Sequence, residues 1–565
     1  MPDESAWNMY IFRDGKQPHR GIHLLHDLAQ SLATLPHLSG VAHETALLDS
    51  LIQAGELECA LVDHSNETFT PSALVTDLLA DSLVSGRTPD VVRSLLLLKE
   101  IVPPEIVHVA PPEGFAFYAL HPLKFADLAD LIEYSADVIA VVGIRSIGTT
   151  LSAVVQAAVR KLGKRAERIT VRPTGHPYDR QTQLTPDLLA WVAAMNSHCA
   201  QFLVVDEGPG MSGSSFLSVG DALLAAGVPR PNIAFLCSRI PDVTALKATN
   251  AQDRWPSFAS YYVDGRGHLP EGAKRYVGGG IWRGDVFSSE DLWPASWTTM
   301  ERAKFLSAGG NTFYKFEGFG AIGAAVHARA LKLGRAGFAP VPWAREQGYG
   351  VYPVIRGRNL TPSDATPAVL KRLADYCGFR AQQMRVETAD TAGLSQMLRF
   401  NAQQEFGPDT DVPALDLVRP VITDSRMAPH KWIEADGAIL KVDSETHGDD
   451  HFFPGPTDIA WDLAGTILEW DLDDNAAQFF LNCYQRASGD GPIDRVRPYL
   501  IAYSVFRMAH CKMASAAMRG TYEASRLNAA HRLYRTKAKR LISLATHEKM
   551  SELHAPEFTR EVTAM

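Results

Sequence analysis

A chain of 565 residues is more than one hydrophobic core organises, and ordinary domain sizes divide it into roughly two to four domains. Its 55 basic and 64 acidic residues leave a formal net charge of −9, so it has no general attraction for polyanions and nucleic acid is not expected as a main partner. No run approaches the ~20 apolar residues that cross a bilayer, and the six cysteines lack CxxC or CxxH spacing, which excludes membrane spans and zinc or disulfide frameworks and points to a reducing cytoplasm.

The first residues, with Asp3, Glu4, Arg13, Asp14 and Lys16, have no apolar segment of the signal-peptide kind. Residues 1–104 read as a mainly helical extension. A short strand is expected at Met9–Phe12, and amphipathic helices at Gly21–Leu35 and His43–Ala54. From Glu105 short apolar strands alternate with helical runs, the pattern of a parallel sheet with covering helices. Gly114–Leu120 reads as a strand and Phe125–Tyr134 as a helix. Val138–Ile144 is a buried strand that opens into Arg145-Ser146-Ile147-Gly148-Thr149-Thr150 and then a helix over Leu151–Leu162.

The most informative stretch follows. Phe202–Val205 is a buried strand ending in Asp206 and Glu207, and the small-residue turn Ser212-Gly213-Ser214-Ser215 leads into a helix over Phe216–Ala226. Carboxylates at the carboxyl end of a parallel strand accept hydrogen bonds from vicinal hydroxyls, and free N–H groups at a helix start hold phosphate. This stretch resembles the 5-phosphoribosyl-1-pyrophosphate (PRPP) motif of type I phosphoribosyltransferases. The resemblance implies that Asp206 and Glu207 bind the ribose, that Ser212, Gly213, Ser214 and Ser215 bind its 5′-phosphate, and that Arg145, Ser146, Gly148 and Thr149 form the pyrophosphate loop. It also implies that Arg172, in the Pro/Gly-rich stretch after Ile169–Val171, meets pyrophosphate from a closing loop, with His176 and Arg180 beside it.

Asn232–Cys237 is the next strand. Residues 246–300, rich in Gly and Trp and including Gly278-Gly279-Gly280-Ile281-Trp282, read as a hood and a crossing to another domain. Beyond 300, Thr312–Glu317 is a strand with Lys315 in it, and Gly318-Phe319-Gly320-Ala321-Ile322-Gly323 is a literal GxGxxG before the helix Ala324–Leu333. No strand ending in a ribose-binding acid follows, so a dinucleotide fingerprint is set aside. Farther on stand Asp424 on a loop, the hairpin around Ala438–Val442 ending in Asp443, and Asp458-Ile459-Ala460-Trp461-Asp462-Leu463-Ala464. His447, Asp449, Asp450 and His451 lie on the loop after Asp443, and the chain is helical from about Asp494 to Leu553.

That order resembles the catalytic centre of aminoglycoside phosphotransferases and choline kinases. The resemblance implies ATP and Mg²⁺, with Lys315, Gly318 and Gly320 on the nucleotide, Tyr349–Ile355 as the strand beside adenine, and Asp424 at the catalytic position. Asp443 and, for want of an Asn at Pro429, His430 would hold the metal, and Asp462 would support the catalytic loop.

The expected fold class is therefore α/β: a parallel-sheet phosphoribosyltransferase-like domain over 105–245, the hood 246–300, and an α+β protein-kinase-like domain over 301–565 with a helical C-terminal part. The expected activity is Mg-dependent transfer of phosphoribose from PRPP to a small molecule, joined to an ATP-dependent phosphotransferase. A PRPP- or nucleotide-sensing protein with a pseudokinase domain is the alternative, and an interaction scaffold with neither ligand is the third. Sequence leaves the acceptor and the oligomeric state open.

Overall fold

Two sheets of unlike type organise the molecule in a computed structural model that describes residues 9, 16–65, 70–176, 178–210, 212–263, 268–387, 389, 391–450 and 452–553. The expected strand at Met9–Phe12 lies, Met9 apart, outside these residues, as does His451.

Four helices open the chain, α1 (Gly21–Thr34), α2 (Gly40–Ser65), α3 (Thr70–Ser85) and α4 (Val91–Lys99). Of these α2 and α3 pack on α5 (Ile147–Lys161), a helix buried at every residue from Ile147 to Val159, while α1 packs on α2 and α4 on α3. Behind α5 runs a wholly parallel sheet of β1 (Val138–Ile144), β2 (Arg165–Val171), β3 (Gln201–Val205), β4 (Ile233–Cys237) and β5 (Ala259–Tyr262), in the order β2-β1-β3-β4-β5. The order reverses between β1 and β3, which leaves a crevice at their carboxyl ends, where ligands of such sheets bind. Helix α6 (Ser214–Ala225) starts beside it, and a short hairpin, Thr174–His176 with Asp179–Gln181, stands above.

The strand expected at Gly114–Leu120 is instead a one-turn helix, Glu113–Ala116. Its backbone serves both halves rather than a sheet: Gly114 N–H donates to Glu207 at 3.0 Å, and the Phe115 carbonyl accepts from Phe319 N–H at 2.9 Å.

The second sheet is antiparallel: β6 (Arg275–Tyr276), β7 (Lys304–Leu306), β8 (Thr312–Phe316), β9 (Ala344–Glu346) and β10 (Tyr349–Pro353), in the order β6-β7-β8-β10-β9. Helix α7 (Gly320–Arg335) connects β8 to β9. The stretch 246–300 supplies β5 to the first sheet and β6 to the second. Beyond the second sheet come α8 (Pro367–Gln383), the hairpin β11 (Trp432–Ala435) and β12 (Ala438–Lys441), then α9 (Ala460–Glu469), α10 (Ile493–Ala517) and α11 (Tyr522–Leu553). One apolar core runs from Leu28 in α1 through Val141 and Leu203 to Phe316, Tyr349 and Val351; another runs from Leu333 through Trp432 and Trp461 to Ala538. The antiparallel sheet thus packs against the parallel half on one side and roofs the helical part on the other. Among the described residues no helix is long and apolar enough to cross a membrane, and the six cysteines are free thiols.

Candidate functional site

At the tip of the parallel sheet the structure brings together much of the first predicted set. A Cβ on Gly148 would stand 2.6 Å from the Val205 carbonyl and 3.3 Å from Asp206 Oδ1, so the loop after β1 lies directly against the acid after β3. Glu207 is held by Gly114 N–H. Burial pushes the Asp206 carboxyl up to about 7, and burial with the neighbouring Asp206 pushes Glu207 up to about 7. Ser146 sits at φ 123°, a conformation that costs a non-glycine residue of order 1–3 kcal/mol. The turn after β3 is half-covered. Gly213 at φ 72° lies against Leu246 and Trp255, Ser214 is buried, and Ser214 N–H donates to Ser212 Oγ at 3.2 Å, while Ser212 and Ser215 are half-buried.

Two predicted ligand arginines pair with Asp63, although Arg172 and Arg180 also lie close enough to Asp206 to lower its carboxyl. Arg172 donates to Asp63 from Nε at 3.1 Å and from Nη2 at 2.6 Å, and Arg145 Nε stands 2.9 Å from the same carboxylate. The reason is a carboxylate at the end of α2 that no local pattern near β1 or β2 reveals.

The second site is a cleft between the antiparallel sheet and the helical part, made of two adjoining cavities. The outer one, of 230 Å³, is apolar, with Val277, Leu306, Phe313, Val354, Ile433 and Val442 among its walls. The inner one, of 50 Å³, is polar. They share Trp282, Lys304, Lys315, His430, Lys431 and Asp443. Strand β8 sets Lys315, buried among the residues of β7 and β10, at this junction. Its ammonium pairs with Asp443, donates to Glu445 at 2.5 Å and to Thr446 Oγ1 at 3.1 Å. Asp443, just past β12 at φ 61°, also accepts from Lys431 at 2.6 Å and from His447 Nε2 at 2.9 Å. Burial alone would raise the Asp443 carboxyl, but Lys315, Lys431 and His447 outweigh it and hold it well below the usual range. Burial lowers Lys431 to about 8 against the pull of Asp443, with Lys304 and Arg426 adding repulsion. Its ammonium lies 5.3 Å from the centre of the Trp282 ring, a cation–π distance.

Several predicted roles in this half need correction. Asp424 does not face either cavity. It is 1% exposed and sealed by the Tyr376 hydroxyl, by Lys441 at 3.1 Å and by Arg426 N–H at 3.0 Å, which makes it a structural anchor. Asp462 supports its loop as expected, accepting from Asp424 N–H at 2.8 Å and Ser425 N–H at 2.9 Å. Gly318 and Gly320 line neither cavity but the contact with the first half. A Cβ on Gly318, at φ 126°, would meet the Ala116 carbonyl at 3.0 Å, and Gly320 N–H donates to Asp49 at 2.6 Å. Their glycines serve a close approach of backbones. His430 stacks on Trp282 at 6.4 Å, and burial and then Lys431 lower its pKa well below the usual value, leaving a neutral ring.

The implied Mg²⁺ does not fit these residues. Both Asp443 oxygens already face ammonium groups, and His430 is a soft partner for a hard cation. Among the described residues no three His, Cys, Asp or Glu side chains gather as a metal site.

Sequence reading missed Lys431, Glu445, Trp282 and Arg302. The only local signal was the Gly278–Gly280 run, which ends β6 and begins the segment that carries Trp282 over the cleft. Arg283 in that segment is buried and pairs with Glu523 of α11 at 3.0 and 2.9 Å, fastening the roof to the last helix. Arg302 donates from Nη1 to the Ala116 and Glu317 carbonyls at 3.0 and 2.9 Å, while among the described residues its buried Nε and Nη2 have no hydrogen-bond partner. Unmade bonds of that kind cost about 1–3 kcal/mol each in a finished site.

No protein-family model and no curated protein matches the sequence. Solved structures do. A choline/ethanolamine kinase family protein from Mesorhizobium loti is 14% identical with a TM-score of 0.30, over 43% of this chain and 88% of its own. The choline kinase LicA from Streptococcus pneumoniae is 14% identical with a TM-score of 0.30, over 44% of this chain and 94% of its own. An aminoglycoside phosphotransferase from Alicyclobacillus acidocaldarius is 12% identical with a TM-score of 0.29, over 51% of this chain and 95% of its own.

Proposed function

We propose that the cleft binds ATP and transfers its terminal phosphoryl group to a small molecule held in the inner cavity. The observation that carries this reading is an apolar cavity of 230 Å³, suited to a base, opening onto a polar one across Lys315 and Lys431. The adenine lies between the sheet and the hairpin, beside Val354 and Ile355. Lys315 and Lys431 donate hydrogen bonds to the phosphates while still paired with Asp443 and Glu445, so charge stabilisation falls to side chains of this chain. The acceptor oxygen bonds to the terminal phosphorus, the bond from that phosphorus to the bridging oxygen breaks, and ADP leaves with its electrons. Asp450, buried at the rim of the inner cavity, takes the acceptor's proton. The first half is read as a PRPP site at Asp206 and Glu207, supported by the reversal of strand order between β1 and β3.

A melting scan with AMP-PNP, ADP and PRPP tests both sites. A ligand at a hundred times its Kd adds about 2.7 kcal/mol, and ³¹P NMR of ATP incubations reports ADP. Lys315→Met abolishing the AMP-PNP shift while leaving the PRPP shift is the expected result. A nucleotide-sensing reading is favoured by two observations, the sealed Asp424 and the ammonium-paired Asp443. An AMP-PNP shift with no ADP formed across acceptors would establish it in place of transfer.

A further inference from the structure

We propose that the inner cavity seats a phosphate monoester, so that the compound meeting the nucleotide is itself an anionic, phosphorylated small molecule. The proposal takes from the nucleotide reading only the identity of its neighbour. Three obligate donors from separate stretches border one small volume: Arg302 before β7, Trp297 in the roof and Arg426 after the Asp424 loop. Arg302 is 5% and Trp297 7% exposed, and among the described residues the buried Arg302 Nε and Nη2, Trp297 Nε1 and Arg426 Nε have no hydrogen-bond partner. Guanidinium and indole N–H groups cannot accept, so only an acceptor satisfies them.

Charge agrees with hydrogen bonding. Five cationic side chains border the cavity against three carboxylates, with Glu445 behind Lys315 as a fourth, and Glu301, Asp443 and Glu445 are already taken by Lys304, Lys315 and Lys431. Among the described residues neither Arg302 nor Arg426 has a carboxylate partner. A cationic acceptor would face that surplus unscreened. A volume of 50 Å³ holds about four waters, room for one phosphate group, and the three side chains that border it come from three separate stretches of the chain. Tyr118, whose hydroxyl donates to Met300 Sδ at 3.5 Å, stands beside this cavity.

Calorimetric titration of the full chain with glycerol 3-phosphate, with and without saturating AMP-PNP, tests the site. The expected result is binding in both conditions, none with glycerol or choline, and at least a tenfold loss in Arg302→Met. Arg302 also ties two carbonyls, so Arg426→Met serves as the variant that keeps them, with the same tenfold loss expected and an AMP-PNP affinity within twofold of the parent. The Asp206→Asn/Glu207→Gln variant should retain the binding. Loss in that variant would move the ligand to the sheet tip, and competition with AMP-PNP would assign the donors to the nucleotide's own terminal phosphate; either overturns the proposal, as does binding of choline or no binding at all. Glycerol 3-phosphate binding with no AMP-PNP binding would sink the nucleotide reading and leave this one standing.

Discussion

Two strands of this protein end in carboxylates, and their surroundings are opposite. Past β3, Asp206 and Glu207 stand side by side in a crevice, with the Glu207 backbone N–H on Asp206 and Gly114 N–H on Glu207, and both are pushed up to about 7. Past β12, Asp443 is gripped by Lys315, Lys431 and His447 and stays ionised far below that. A strand tip with an acid is therefore not one kind of site. Neighbours distant in sequence decide whether the acid awaits hydroxyl donors or is already neutralised, and with it whether a metal ion has room.

The comparison breaks most visibly at Lys315. Lys315→Met leaves Asp443 and Glu445 buried beside a lost ammonium, and we expect about 3–5 kcal/mol of lost stability by denaturant unfolding. Adding Glu445→Gln should recover part of it, and a cost near zero would mean that the pair is not formed in solution. Asp424→Asn should cost about 1–3 kcal/mol, because the Tyr376 and Lys441 contacts weaken, with nucleotide affinity unchanged. Full stability with lost phosphoryl transfer would restore Asp424 to the catalytic position.

The acid pair is sharpened by pH. Both carboxyls are raised from ordinary values of 3.8 and 4.5, so the folded protein keeps protons that the unfolded chain releases. Their stabilisation is fully present below about pH 4 and is lost as pH rises toward about 7. Asp206→Asn/Glu207→Gln should flatten that part of the stability–pH curve and raise the unfolding midpoint at pH 8; an unchanged curve would place a cation between the acids. The smallest expected effect is Gly318→Ala, about 1–2 kcal/mol from its φ of 126° and the Ala116 carbonyl, with AMP-PNP binding intact. Loss of AMP-PNP binding at normal stability would return this glycine to the nucleotide.

Local pattern carried a good part of this far. Buried strands at Val138–Ile144 and Phe202–Val205, the Lys315 strand and the hairpin before Asp443 stand where periodicity and turn residues put them, and the helix expected over Phe216–Ala226 starts two residues earlier, at Ser214. Gly114–Leu120 failed because its apolar run fits a strand or a one-turn helix equally, and a contact 93 residues away, Gly114 to Glu207, chose between them. The glycines at 318 and 320 failed because a glycine records only that something comes close, and what comes close is Ala116 and Ile52 rather than a phosphate.

From sequence alone follow the strands of the parallel sheet, the acids at the ends of β3 and β12 and the lysine of β8, since each depends on residues within one turn or one strand. Tertiary structure alone decided that Asp63 would take Arg145 and Arg172, that Lys431 would reach Asp443, that Asp424 would be sealed, and that Arg302 would be left facing a small polar cavity. Those are questions of which charges meet once the chain is packed, and electrostatic pairing in a low-dielectric interior is set by distance in space, which spacing along the chain does not encode.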